Sequence, residues 1–198
     1  MGKLFKEKDH QDKFDRDGYV ILDFLRSEDL DNLQAYYSQH FADIPKVEIY
    51  ESSRENDPEA NLDVQRTISG AFEYGYGKFF EPGNIFFGGT FMVKAPKNSN
   101  TLPLHQDWSI IDEDNFDTVF IWCPIVPIRN TNGGLFLLPS SHKLFNNYRS
   151  GSLPTPRVKL PGFMKSLVKD VEIEAGQCVA YSTSLFHGSY PNVDDEDR

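Results

Sequence analysis

His105 and Asp107, in the run LPLHQDWS, and His187, in SLFHGSYPN, are the residues whose types and spacing can do chemistry in this chain. Two imidazoles and one carboxylate gathered on one face of an iron(II) ion leave the opposite positions open, and open positions are what a metal needs to bind a co-substrate and O₂. The trio therefore points to oxygenase chemistry. Along extended backbone alternate side chains point the same way, so His105 and Asp107 can face one ion while Gln106 points away. His187 must come from a distant strand folded back beside the first two. Arg198 follows it by eleven residues. It supplies an always-charged planar fork for a carboxylate, so a dicarboxylate chelating iron at one end can be held at the other.

The trio sits within a longer ordered set of runs: FMVKAP, LPLHQDW, VFIWCPI, NGGLFLLPSSHK, EAGQCVAYSTSLFHGSYPN and the final arginine, preceded by FDRDGYVILDFL. In these runs, and over most of its length, the chain resembles the phytanoyl-CoA dioxygenase family of iron(II)- and 2-oxoglutarate-dependent oxygenases. The resemblance implies a fold that is mainly β with N-terminal helices, around a double-stranded β-helix (jelly-roll, cupin-like) core with iron at one mouth. It implies His105, Asp107 and His187 as catalytic metal ligands, and iron(II), 2-oxoglutarate and O₂ as cofactor and co-substrates. The implied activity is hydroxylation of an unactivated C–H bond of a small-molecule metabolite, with release of succinate and CO₂. In related halogenases a small residue replaces the carboxylate, so Asp107 favours hydroxylation.

Further co-substrate contacts are expected around Arg198. Ser189 lies two residues past His187, faces the same way, and can donate its hydroxyl to the distal carboxylate of 2-oxoglutarate. Trp122 matches the family's tryptophan beside the co-substrate, an apolar core tryptophan being the competing reading. Thr90, Met92 and Lys94 share a strand face by alternation, and the family places co-substrate contacts on this strand; core packing or a solvent-facing lysine competes. The substrate site itself is not legible, and Trp108, Arg149, Arg157 and Lys159 are its only candidates. Lys143 to Lys169 carries six basic and no acidic residues, which suggests either an anionic substrate group at the mouth or a solvated surface loop. Two other readings use the same trio: a non-catalytic metal-binding jelly-roll module, and a cupin-type metalloenzyme that does not use 2-oxoglutarate. Cupins usually supply a third histidine and need no trailing arginine, so Arg198 argues against the latter.

Composition sets outer bounds. A chain of 198 residues, 39% hydrophobic and 14% aromatic, can bury one sizeable core and has the make-up of a globular protein. A single domain over 1–198 is expected, with a helical scaffold over 1–84 and the jelly roll over 85–198. In the family the arginine opens the last core strand, so a further strand after residue 198 is also expected. The net charge of −10 disfavours nucleic acid as a partner. Apolar runs are strand-sized, the N-terminus has no signal-like apolar region, and Lys6 stands where a myristoylation motif wants Ser or Thr. A cytoplasmic location away from membranes is expected, with Cys123 and Cys178 as reduced, buried thiols.

The elements that must position the site read as follows. KEKDHQDKFDRDG is a charged helix ended by Gly18, YVILDF a short strand, and Ser27 an N-cap before Leu30, Leu33, Tyr37 and Phe41 at helical spacing. SSRENDPEAN reads as a loop, and the segment from there to Phe80 is ambiguous between helix and irregular structure. Short β runs follow over 85–94, 102–105, 119–126, 135–138, 171–173, 178–181 and 185–189, separated by turn residues such as Asn132-Gly133-Gly134. His10, His40 and His142 lack a partner at ligand spacing, and His142 reads as structural.

Overall fold

The computed structural model describes residues 3–43, 49–54, 56–97, 99–144, 148–150 and 166–198. Among these residues three α-helices, α1 (Lys8–Asp17), α2 (Ser27–His40) and α3 (Pro58–Phe79), accompany nine strands. These are β1 (Tyr19–Asp23), β2 (Ile49–Glu51), β3 (Met92–Lys94), β4 (Leu102–His105), β5 (Val119–Trp122), β6 (Leu135–Leu137), β7 (Lys169–Val171), β8 (Gln177–Ser182) and β9 (His187–Ser189). All pairings are antiparallel, in sheets ordered β1-β8-β5, β2-β3 and β4-β9-β6-β7. The architecture is the mainly β jelly roll expected.

β8 shows how the core is divided. Cys178 and Ala180 face the helices, packing with Val20 and Leu22 of β1 against Phe14, Phe24, Phe79 and Phe80. Val179 and Tyr181 face the opposite way, onto Leu135, Leu137 and Val171 of the four-stranded sheet. A strand covered on both faces needs apolar residues at successive positions, which is why the run CVAY does not alternate. β1 and β2 lie within the first 84 residues, so that stretch is not purely helical.

Helix boundaries differ in detail from expectation. Gly18 ends α1 in the left-handed conformation (φ 84°) as expected. Ser27 is not the cap of α2: Arg26 occupies that position with extended backbone, and its guanidinium pairs with Asp29 at 2.7 and 3.0 Å. The ambiguous segment is the 22-residue α3, and the preceding loop stops at Asp57, whose Oδ1 accepts from the Glu59 and Ala60 amides at 3.0 Å ahead of Pro58. The strand expected over 85–94 forms only at Met92–Lys94, and β5 stops at Trp122, before Pro124.

Candidate metal centre

β4 and β9 place the two histidines opposite each other: His105 pairs with His187 in register, and Leu102 pairs with Ser189. Four residues of β4, 102–105, therefore oppose three of β9, 187–189. The bulge contains Pro103, which has no N–H to give to the ladder, and it turns His105 onto the same side as His187. Their rings lie 4.4 Å apart between centroids. Gly188 is required between the two site residues of β9, because a Cβ there would lie 2.5 Å from the Leu102 carbonyl and 2.5 Å from the Phe136 ring.

Asp107 follows β4, its amide donating to the Thr183 carbonyl at 3.0 Å. Its carboxylate stands 3.7 Å from His105 Nε2 and 3.6 Å from His187 Nε2, too far for hydrogen bonds and open to a shared ion. Both Nδ1 atoms are occupied elsewhere, by the Pro103 carbonyl at 2.8 Å and the Leu185 carbonyl at 3.0 Å. Each imidazole therefore holds its proton at Nδ1 and turns the Nε2 lone pair inward, the tautomer a metal ligand needs. Asp107 Oδ2 is buried with no hydrogen-bond partner among the described residues. A buried orphan carboxylate oxygen facing two imidazole lone pairs fits a metal ion. Among the described residues these three form the one His/Cys/Asp/Glu group close enough to share an ion, with donor atoms within 4.8 Å of one another.

Charge is balanced inside the group. Burial pushes the Asp107 carboxyl up, but His105 and His187 outweigh it and hold the carboxyl below its ordinary value. Burial pulls His187 down more than Asp107 raises it, so its imidazole stays neutral and able to ligate. Burial also pulls on His105, where Asp107 and the Pro103 carbonyl win and the net shift is upward.

Beside the trio lies a cationic recess. Lys94, 2% exposed, donates through Nζ to Ser189 Oγ at 2.9 Å and to the Tyr190 carbonyl. Lys94 and Arg198 exchange backbone hydrogen bonds of 2.5 and 3.1 Å. The Arg198 guanidinium donates to the Asn132 carbonyl at 3.0 Å and to that of Gly133, and sits over the Trp122 ring at 5.4 Å. Among the described residues neither cation has a carboxylate partner. Burial, then the neighbouring Arg198, pushes the Lys94 amine down to about 8, and burial alone draws Arg198 down to about 10. Gly133 (φ 87°) makes room, since a Cβ there would lie 2.8 Å from Lys94 Cδ and 2.9 Å from Arg198 Nη2.

The expected co-substrate contacts thus divide. Ser189, Trp122, Lys94 and Arg198 come together, and Lys94 is neither solvent-facing nor ordinary core. Thr90 precedes β3, and its hydroxyl is engaged with Ser52 Oγ at 2.9 Å and the Ser53 amide at 3.1 Å. Met92 is exposed. Trp108 is exposed and is not on the wall of the cavity at the trio. Arg149 is no open cation: its guanidinium is buried on Glu113 at 2.7 and 2.8 Å and on the Asp107 carbonyl at 2.7 Å. Arg157 and Lys159 lie outside the described residues. His142 lies under Gly18, apart from the trio.

Sequence reasoning missed two features. Glu113 also accepts from Thr183 Oγ1 at 2.7 Å, so Arg149, Glu113 and Thr183 form a clasp around the Asp107 backbone. Tyr181 packs its buried ring against His187 at 4.8 Å. A polar ring inside the apolar run CVAY was the only sequence signal for it.

Comparison with known proteins agrees with this geometry. The family model described as phytanoyl-CoA dioxygenase matches residues 14–198. The chain belongs to the phytanoyl-CoA dioxygenase family. Members of this family are oxygenase-type enzymes that use iron(II), 2-oxoglutarate and O₂. Among curated proteins no match was found. Among solved structures, this family member is similar to EvdO2 from Micromonospora carbonacea var. aurantiaca, with TM-score 0.66 and 19% identity over 100% of this chain and 90% of that one. It is also similar to the epimerase SnoN in complex with Fe3+, alpha ketoglutarate and nogalamycin RO, with TM-score 0.65 and 18% identity over 94% of this chain and 78% of that one. HygX from Streptomyces hygroscopicus, with nickel and 2-oxoglutarate bound, aligns with TM-score 0.63 and 15% identity over 97% and 83% of the two chains. Among the described residues no helix is long and apolar enough to cross a membrane.

Proposed function

We propose that this protein is an iron(II)- and 2-oxoglutarate-dependent dioxygenase that hydroxylates an unactivated C–H bond of a small-molecule metabolite, releasing succinate and CO₂. One observation carries the reading: a two-histidine, one-carboxylate group lies next to a buried lysine and a half-buried arginine that have no carboxylate partner among the described residues. His187 and Ser189 share a face of β9, and two residues of strand advance about 6–7 Å. Because Ser189 is bonded to Lys94, the recess stands roughly one dicarboxylate length from the trio.

His105, Asp107 and His187 would hold the iron, with the imidazole tautomers already set by Pro103 and Leu185. Bound there, iron with 2-oxoglutarate and O₂ supplies an oxidant strong enough to break an unactivated C–H bond. Arg198 would pair with the distal carboxylate of 2-oxoglutarate, Lys94 would add a second charge, and Ser189 has a hydroxyl proton to donate. Trp122 would wall the co-substrate in beneath the guanidinium. A carboxylate entering this recess relieves the repulsion between the Lys94 and Arg198 cations, which favours a dianion over a neutral keto compound.

The test is a turnover assay with iron(II) and 2-oxoglutarate. Succinate formation that disappears in Asp107→Ala and His187→Ala supports the reading. Metal stoichiometry unchanged in both variants would sink it.

A further inference from the structure

A cavity of about 1070 Å³ reaches the trio at Asp107, and its lining bears on the substrate. Asp107, Tyr181, Trp122 and Arg198 are among its lining residues. The remaining wall is mostly apolar, with Phe72 and Tyr76 from α3, Phe86 and Phe87 from the segment before β3, and Phe116 and Phe120 at and before β5. Phe87 is 70% exposed and Phe116 64%, so these rings stand unburied on the cavity rim. Ligand cavities commonly run to about 1,000 Å³, so there is room for 2-oxoglutarate and a sizeable second molecule.

The charges on this wall decide what that molecule carries. Among the described residues the lining cations are Lys3 and Arg198. Lys3 is paired with Glu81, and Arg198 belongs to the co-substrate recess. Four carboxylates share the lining: Asp107, Asp112, Asp117 and Asp197. Asp112 is tied into a turn by the Asp114 amide and Asn115, and Asp197 accepts from Tyr37 at 2.9 Å. Asp117 lines the cavity half-buried, and burial pushes its carboxyl up. Thr118 Oγ1 beside it is buried with no partner among the described residues. Among the described lining residues a phosphate or carboxylate on a substrate would meet these acids with no open counter-ion to offset its desolvation cost. Of the basic run from Lys143 to Lys169, the described cations Lys143, Arg149 and Lys169 do not line the cavity.

We propose that the substrate is a largely apolar, ring-bearing molecule, uncharged or cationic, without a phosphate or carboxylate group, gripped by the aromatic wall and oriented by Asp117 and Thr118. This rests on the oxygenase reading for its chemistry, but the cavity's preference can be measured without turnover.

The experiment uses the full chain loaded with manganese(II) and 2-oxoglutarate, with loading read separately by thermal shift. The probes are N-phenyl-1-naphthylamine, which is uncharged, and 8-anilinonaphthalene-1-sulfonate, the same ring system with an anionic group. The uncharged dye should bind one per chain, at least about tenfold tighter than the sulfonate. Its proton resonances should be broadened by manganese beyond the effect of zinc, which places it beside the trio. Replacing the exposed pair, Phe87→Ser with Phe116→Ser, should weaken the uncharged dye about tenfold while leaving the 2-oxoglutarate-dependent thermal shift alone. Equal or tighter binding of the sulfonate, absence of broadening, or indifference to the double substitution would each overturn the proposal. Failure of manganese and 2-oxoglutarate to load would instead strike the oxygenase reading, since the dye comparison can be made on metal-free protein.

Discussion

Arg149 Nε donates to the backbone carbonyl of Asp107 at 2.7 Å, while the same guanidinium grips Glu113 with its Nη2. Asp107 is thereby held from a residue far along the chain, and the clasp is closed by Thr183, whose hydroxyl bonds Glu113 and whose carbonyl receives the Asp107 amide. Removing one member of a buried ion pair strands the other charge, which typically costs about 3–5 kcal/mol. Arg149→Met should therefore lower stability by about that amount and weaken metal binding roughly tenfold or more, as loss of groups that orient ligands does. Denaturant melts and a manganese titration check the two effects. A melt that shifts with metal affinity untouched would make the clasp a scaffold feature only.

The trio should act as one metal-binding unit. Ligand binding to the folded state stabilises by about 2.7 kcal/mol at one hundred times Kd, so saturating manganese should raise Tm clearly in the wild type. Asp107→Ala should lose that rise. Retention of the full metal-dependent shift would place the ion elsewhere.

Arg198→Lys separates the recess from the metal. Lysine keeps the charge but cannot reproduce the planar fork that spans the Asn132 and Gly133 carbonyls and lies over Trp122. Affinity for 2-oxoglutarate should fall by about tenfold or more while manganese binding persists. Equal 2-oxoglutarate affinity in variant and wild type would mean that another group holds the carboxylate.

Lys94 predicts a pH dependence with a definite sign. Its amine, pushed down from 10.5 to about 8 by burial and then by Arg198, binds fewer protons in the folded than in the unfolded chain between those values. Stability of the protein without co-substrate should therefore rise with pH across that window, by at most about 1.4 kcal/mol per unit from this group. Its contribution is complete above 10.5 and is lost as pH falls through about 8. Affinity for 2-oxoglutarate should run the other way, declining as pH rises through about 8 and the amine loses its charge. Lys94→Met should flatten both slopes, as read by melts and by a 2-oxoglutarate titration at pH 7 and 9; slopes unchanged in the variant would assign the titration to a different group.

The sequence by itself determined the make-up of the candidate site, because residue type and local spacing are written in the chain: His105 and Asp107 flank Gln106, and Ser189 follows His187 on one strand face. It also determined most of the strands and α1, since alternation and Gly18 are local signals. α3 was obscured by glycines and β-branched residues inside it, although Asp57-Pro58 marked its start. What only the tertiary structure decided were relations between distant segments, which carry no local signature. The bulge at Pro103 that brings His105 opposite His187, the burial of Lys94 against Ser189, and the removal of Arg149 from the surface by Glu113 all depend on which strands and loops pack together. Charge in a sequence counts protons, whereas burial and pairing decide whether a charge is open to a ligand. That is why the basic run from Lys143 to Lys169 was compatible with either an anionic substrate group or a solvated loop, and why Arg149, one of its cations, proves to be committed to Glu113.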